Sequence, residues 1–206
     1  MSRELAMFPL GSVLVPYAIL PLHIFEPRYQ VLMQRLDPEA PEFGVVLIDR
    51  GSEVGGSDRR SSLGTVARVI DSHELPDGRW VVLAIGVRRI EVIRWLEDDP
   101  YPRAEVDDLD DAPWEAAHVS LLGQAAQAVR RAVALRTELG ESGPPATFRL
   151  SDDPAAAAWQ LVALTPLGPA DQQRLLSLAD PGKRLTLLAT MAGDAADMLA
   201  FRMTDG

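Results

Sequence analysis

The chain has 206 residues, 47% of them hydrophobic and 24% charged, and a formal net charge of −10. Those values describe an ordinary globular chain of one domain or two small ones, large enough to bury a core. The lack of cysteine excludes disulfides, thiolate metal sites and a thiol nucleophile, and the acidic balance disfavours nucleic acid, whose phosphates need a cationic footprint.

The N-terminus is apolar enough to raise the question of a signal peptide. Pro9, Pro16 and Pro21 interrupt it and no small-residue cleavage site ends it, so it reads as a buried strand pair. Phe8–Val15 is the first predicted strand, closed by Pro16, and Ile19–Ile24 is the second. Glu26-Pro27 opens a helix, because the first helical position loses nothing when proline removes its N–H. Tyr29, Leu32, Met33 and Leu36 follow at helical spacing and form its buried face. Asp37-Pro38 stops it. Phe43–Ile48 is a continuous apolar run, hence a well-buried strand. Arg50–Ser62 is rich in glycine, serine and charge and reads as a mobile loop. Gly64–Ser72 and Trp80–Ile85 are strands around the turn Leu75-Pro76-Asp77-Gly78, where proline presets one backbone angle and glycine permits a positive one. Val87–Trp95 and Ala104–Val106 add two more. Short strands with many turns predict a small, partly closed barrel with one helix.

Composition changes near Ala112-Pro113, which predicts two subdomains, 1–112 and 113–206. In the second, alanine and leucine dominate and the period becomes helical. Trp114–Leu139 is one long helix with Leu122, Ala126, Val129 and Val133 as its core stripe, and Gly140–Pro145 is a flexible loop. Ser151-Asp152-Asp153-Pro154 is a helix start, with a capping side chain, acids at the positive end of the dipole and proline in the first turn. A short helix covers Ala170–Leu178. Asp180-Pro181 caps a last long helix whose Leu185, Leu188, Ala192, Ala195 and Leu199 share one face. The fold class is α+β, a barrel followed by a helical bundle.

The sequence carries little recognisable chemistry. Gly182-Lys183 lacks the first glycine and the Ser/Thr of a phosphate-binding loop. The sole lysine, Lys183, sits in a helix's first turn with no serine arranged beside it, so no serine–lysine dyad is expected. His23, His73 and His118 match no metal spacing. His23, in the apolar Leu22–Phe25 run, reads as a hydrogen-bonded structural histidine. No catalytic residue, metal ligand or cofactor site is assigned. The acids between Glu97 and Asp111 read as a solvated edge strand and linker, protected from unwanted pairing by charge. Glu26 and Arg28 flank a rigid corner and read as a strand-to-helix joint held by charge-assisted hydrogen bonds. Trp95, Tyr101 and Trp114 gather around the junction of the subdomains, and are candidate anchors for an extended apolar peptide or glue between the halves.

The segment Met7–Leu36 carries Pro21-Leu22-His23-Ile24-Phe25-Glu26-Pro27-Arg28-Tyr29. It is followed by Leu63-Gly64-Thr65-Val66-Ala67, Glu74-Leu75-Pro76-Asp77-Gly78, Gly86-Val87-Arg88-Arg89 and Leu178-Ala179-Asp180-Pro181 with Arg184-Leu185. In this order these pieces resemble the substrate-binding (N-terminal) domain of Lon proteases over nearly the whole chain. The resemblance implies a PUA-like β pseudo-barrel followed by a helical bundle ending in a long helix, with His23, Glu26, Arg28 and Tyr29 in its opening structural motif. It also implies a role in selecting unfolded or tagged protein substrates, with no catalytic residues to carry over. A complete Lon protease continues into ATPase and peptidase modules. This sequence ends at Gly206 with neither, so the resemblance implies a free-standing, non-enzymatic module of the cytoplasm. Its partners are then unfolded or peptide segments of proteins, and a protease or chaperone it serves as adaptor. No membrane role is expected, since no run reaches the roughly 18–20 apolar residues that span a bilayer. The alternative is a PUA-like nucleic-acid-binding protein, with Arg59, Arg60, Arg88 and Arg89 as a local basic patch.

Overall fold

The computed structural model describes residues 2–49, 59–141, 143 and 147–204. It divides into two units, Met1–Asp110 and Asp111–Gly206. The first holds the strands β1 (Arg3–Leu10), β2 (Ile19–Ile24), β3 (Glu42–Asp49), β4 (Arg59–Glu74), β5 (Trp80–Trp95) and β6 (Arg103–Leu109), with the helix α1 (Pro27–Arg35). The second holds the helices α2 (His118–Glu138), α3 (Pro154–Leu164), α4 (Pro169–Leu176) and α5 (Pro181–Thr204). This is the mixed α+β architecture expected.

The strands form a six-stranded sheet in the order β2-β5-β4-β3-β1-β6, and a further β5–β6 pairing closes it into a barrel. β1 is shared between neighbours: Arg3–Ala6 run antiparallel to β6, and Met7–Leu10 run parallel to β3. Alternation then sends consecutive side chains into two cores. Met7 meets Val46, Val66, Ile90, Ala104 and Val106 on one face. Phe8 meets Ile24, Tyr29, Leu32 and Phe43 on the other, where α1 covers the sheet.

Several boundaries differ from the sequence expectation. β1 begins at Arg3 rather than Phe8 and ends at Leu10, because its polar first half finds a partner in β6 that a local apolar pattern cannot announce. The two strands expected at 80–85 and 87–95 are one 16-residue strand, and the irregularity at Val87 is a bulge against β4. Arg59–Ser62 belong to β4, while residues 50–58 of the expected loop lie outside the described residues. The acidic β6 is not an edge: it is paired to β1 on one side and β5 on the other. Its acids are matched by arginines instead, Glu105 by Arg94 and Asp108 by Arg3 and Arg88.

Segment 11–18 is held against the barrel by backbone bonds at Gly86. The Tyr17 N–H donates to the Gly86 carbonyl at 2.7 Å, and the Gly86 N–H donates to the Ala18 carbonyl at 2.9 Å. A Cβ on Gly86 would sit 2.3 Å from the Val15 carbonyl oxygen, so only glycine allows this approach.

In the second unit α2 and α5 pack along their length, with α3 against both. Ala125, Ala126, Val129, Ala132 and Val133 of α2 are buried, as are Leu185, Leu188, Ala192, Ala195 and Leu199 of α5. α2 starts at His118 rather than Trp114, where the His118 Nδ1 accepts the Glu115 N–H at 3.0 Å. The predicted cap of α3 is present, with the Asp153 carboxylate accepting the Ala155 N–H at 3.1 Å. Part of the loop expected at 140–145 lies outside the described residues.

Two outcomes follow. Gly86→Ala should lower stability by about 2 kcal/mol, since overpacking against backbone has nowhere to relax. Gly123→Ala, in α2 where a Cβ meets nothing within 4 Å, should raise it by about 0.5–1 kcal/mol; urea unfolding of both variants is the check. The second concerns Glu42, whose carboxyl is held below its ordinary range by hydrogen bonds from Arg88, opposed by partial burial and reinforced by Arg68. Its folded pKa is therefore below the unfolded value of about 4.3. The associated stability is present above that value and is lost as pH falls through the folded pKa. The stability gap between wild type and Glu42→Gln should thus shrink between about pH 6 and about pH 3, as measured by denaturant midpoints.

Candidate functional site

The alternation of β2 decides what its C-terminal end offers. Ile24 faces the core and is buried, whereas His23 faces out and is exposed. The hydrogen-bonded structural role expected of His23 has no counterpart here: its side chain is exposed and no hydrogen bond to it is found among the described residues. The chain then turns at Phe25, whose ring is 68% exposed, before Pro27 starts α1. Other large apolar side chains are about as exposed, Phe201 and Met198 at 65% each, so exposure by itself is ordinary and the surroundings of Phe25 decide its meaning.

Beside Phe25 is a cleft of roughly 290 Å³. Its lining combines apolar Phe8, Leu10, Leu22, Ile24 and Ile48 with polar His23, Glu26, Arg28, Tyr29 and Arg60. All of them belong to the first unit. The four residues expected in the structural motif, His23, Glu26, Arg28 and Tyr29, all line this cleft.

Within the site, the Tyr29 ring stacks on Phe8 with centroids 4.0 Å apart, and the Arg28 guanidinium lies 4.7 Å above it. Burial pushes the Tyr29 phenol above its ordinary pKa, against the pull of Arg28 and Arg60 and with a smaller push from Glu26 and Asp98. Arg28 pairs with Glu26 at 2.9 Å, both side chains being about two-fifths exposed. The corner is thus ion-paired as the sequence suggested, yet open to solvent. Arg60 lies with its guanidinium 4.6 Å over the Trp95 ring. No carboxylate lies within ion-pair distance of Arg60 among the described residues.

Of the three aromatic anchors expected at the junction, Trp95 is half-buried beneath Arg60 and Tyr101 is packed in the barrel core. Trp114 belongs to the second unit, half-buried and edge-on to His118. Of the expected basic patch, Arg88 is paired with Glu42 and Asp108, and Arg89 is 3% exposed with a bond to the Asp110 carbonyl. The side chain of Arg59 lies outside what is described. No group of three or more residues that could hold a metal ion occurs among the described residues, and no described helix is long and apolar enough to cross a membrane.

Sequence reasoning missed Phe25, Phe8, Ile48 and Arg60 as parts of one site. Phe25 was legible in principle from the alternation of β2. Ile48 and Arg60 were not, because only the β3–β4 register sets them side by side.

Residues 4–192 match the family model of the ATP-dependent protease La (LON) substrate-binding domain. The chain belongs to the Lon substrate-binding domain family. Its crystallographic relatives include a Lon N-terminal domain protein from Xanthomonas campestris, 29% identical, with a TM-score of 0.65 over 91% of this chain and 98% of that one. The N-terminal domain of Mycobacterium avium complex Lon protease, 16% identical, shares the fold with a TM-score of 0.65 over 93% of this chain and 99% of that one. Among curated proteins, the Lon protease of Escherichia coli K12 is 26% identical over 95% of this chain. The Lon protease of Desulfovibrio desulfuricans is 28% identical over 90% of it. The chain spans only about a quarter of these relatives, 25% of the first and 22% of the second.

The geometry separates two roles within the motif. Tyr29→Ala removes a buried, stacked ring and should cost about 3 kcal/mol. Arg28→Ala breaks a half-exposed ion pair and should cost under about 1 kcal/mol. Equal losses in thermal or urea unfolding would instead make the Glu26–Arg28 pair the joint that holds strand to helix.

Proposed function

We propose that this chain is a non-catalytic recognition module for unfolded or extended protein segments, and that the cleft beside Phe25 receives an apolar side chain of the bound segment. The observation that carries this reading is the exposed Phe25 ring in the lining of a cleft of mixed apolar and polar side chains, much of it from residues 22–29 inside the family match. Hydrophobic segments exposed by unfolding gain most from such a surface, because binding removes apolar area from water on both sides. A module of this kind serves as an adaptor that passes clients to a protease or chaperone, or competes with it for them. Trp95 contributes as the platform beneath Arg60, and Tyr101 supports the cleft from the core. Trp114 offers a separate contact in the second unit. The pairing of Arg88 with Glu42 and Asp108 and the burial of Arg89 weigh against the nucleic-acid alternative.

Binding of a fluorescently labelled, permanently unfolded protein, followed by anisotropy, tests this. Phe25→Ala should weaken binding by about five-fold or more with an unchanged Tm. Undiminished binding by Phe25→Ala together with loss in Trp114→Ala would move the site to the second unit. Salt-sensitive RNA binding, with none to the unfolded protein, would replace the reading altogether. Affinity capture from cytosol, with a protease or chaperone enriched, is the measure of the adaptor role.

A further inference from the structure

We infer that the cleft beside Phe25 captures the C-terminal residue of a client chain, with the apolar side chain against its walls and the free carboxylate on Arg60. This rests on the proposed recognition role and names the class of segment that the same site takes.

Charge complementarity comes first. The chain as a whole carries −10, yet the cleft rim holds two guanidiniums against one carboxylate. Glu26 is paired with Arg28. Arg60 remains, without a carboxylate in ion-pair range among the described residues. Its guanidinium carbon lies 4.6 Å from the centre of the Trp95 ring. A ring face attracts the cation without neutralising it, so the contact positions the group and leaves its charge unpaired with an anion. Half-burial at the start of β4 strengthens a charge-assisted bond there relative to one in open water.

Placement comes second. Ile48 is directly opposite Arg60 in the β3–β4 register, so an apolar wall and the cation are cross-strand neighbours. A ligand that satisfies both must present an apolar group and an anion a few ångströms apart. A chain end does so from a single Cα, which bears both the side chain and the carboxylate. An internal acidic residue does not. Its immediate neighbours in an extended chain point to the opposite side and the next residues on its own side are roughly 7 Å away, and a run of acids would be repelled by the net charge of the protein. Volume agrees, since about 290 Å³ is at the lower bound of ligand pockets and suits one residue rather than a long stretch.

The test uses the full chain and three fluorescein-labelled peptides by anisotropy. The first is Gly-Ser-Gly-Leu-Phe with a free C-terminus, and the second is the same peptide amidated. The third is an amidated peptide with Phe-Asp placed internally. The free acid should bind at least about ten-fold more tightly than its amide. Arg60→Gln should bring the ratio of acid to amide affinity to about one, and Arg60→Lys should keep part of the preference. Equal binding of acid and amide by the wild type overturns the inference, as does a preference that survives in Arg60→Gln. Equal or tighter binding of the internal Phe-Asp peptide overturns the choice of a chain terminus. Each of these outcomes leaves the binding of unfolded protein intact, so failure here is distinguishable from failure of the recognition role itself.

Discussion

The first unit depends on β5 being hydrogen-bonded along both edges. Its first half lies between β4 and β2, and its second half runs from β4 to β6. Because one strand serves two neighbours on the same side, the sheet closes through β6 while β2 is carried outside the ring. Closure removes edges that would otherwise template aggregation. It also leaves the exit of β2 beside the exit of β1, and the candidate cleft lies between those two ends. The handover from β2 to β6 happens at residues 86–88, where a glycine admits the 11–18 segment and a bulge resets the register. Thr65 strengthens the same attachment, its buried hydroxyl donating to the Leu14 carbonyl at 2.6 Å.

Charge works differently inside and outside the barrel. Outside, a chain of acids and arginines runs from Arg68 through Glu42, Arg88 and Asp108 to Arg3. Individual exposed pairs contribute little, but a network shares the cost of ordering its side chains. It also explains how an acidic chain tolerates so many carboxylates on one sheet. In the second unit a single arginine does structural work from within. Arg184 is 1% exposed, donates to the Leu178 carbonyl and to Asp111, and stacks 3.6 Å over Trp159. Asp111 also accepts the Trp159 indole N–H at 2.9 Å. A buried cation is stable only with such partners, so the first residues of that unit are tied to α3 and α5 by charge as well as by packing.

The candidate cleft and the fold share residues at the Pro27 corner. The strand-to-helix turn needs Ile24 and Tyr29 inward, and with those fixed, alternation and helix phase force His23, Phe25 and Arg28 outward. The exposed Phe25 is therefore a product of the same local geometry that buries Tyr29 against Phe8. A site built on two strand ends and a helix start is positioned by rigid elements, which limits the entropy lost on binding.

Much was legible in the order of residues alone. The helix at Pro27, the strand at 43–48, the turn at Gly78, the cap at Asp153 and the stripe from Leu185 to Leu199 all follow from local propensity, capping and periodicity, which act over a few residues. The family was legible too, because its motifs are contiguous. What local pattern could not supply was pairing: that Arg3–Ala6 have β6 as a partner, that residues 80–95 form one strand, and that the acidic β6 is interior to the ring. The candidate cleft belongs to this second class. Its walls come from residues near 8–11, 22–29, 48 and 60, and no spacing rule connects them. Local chemistry thus determined the elements and their inward faces. Only closure of the sheet, a matter of contacts between distant residues, decided which outward groups share one surface.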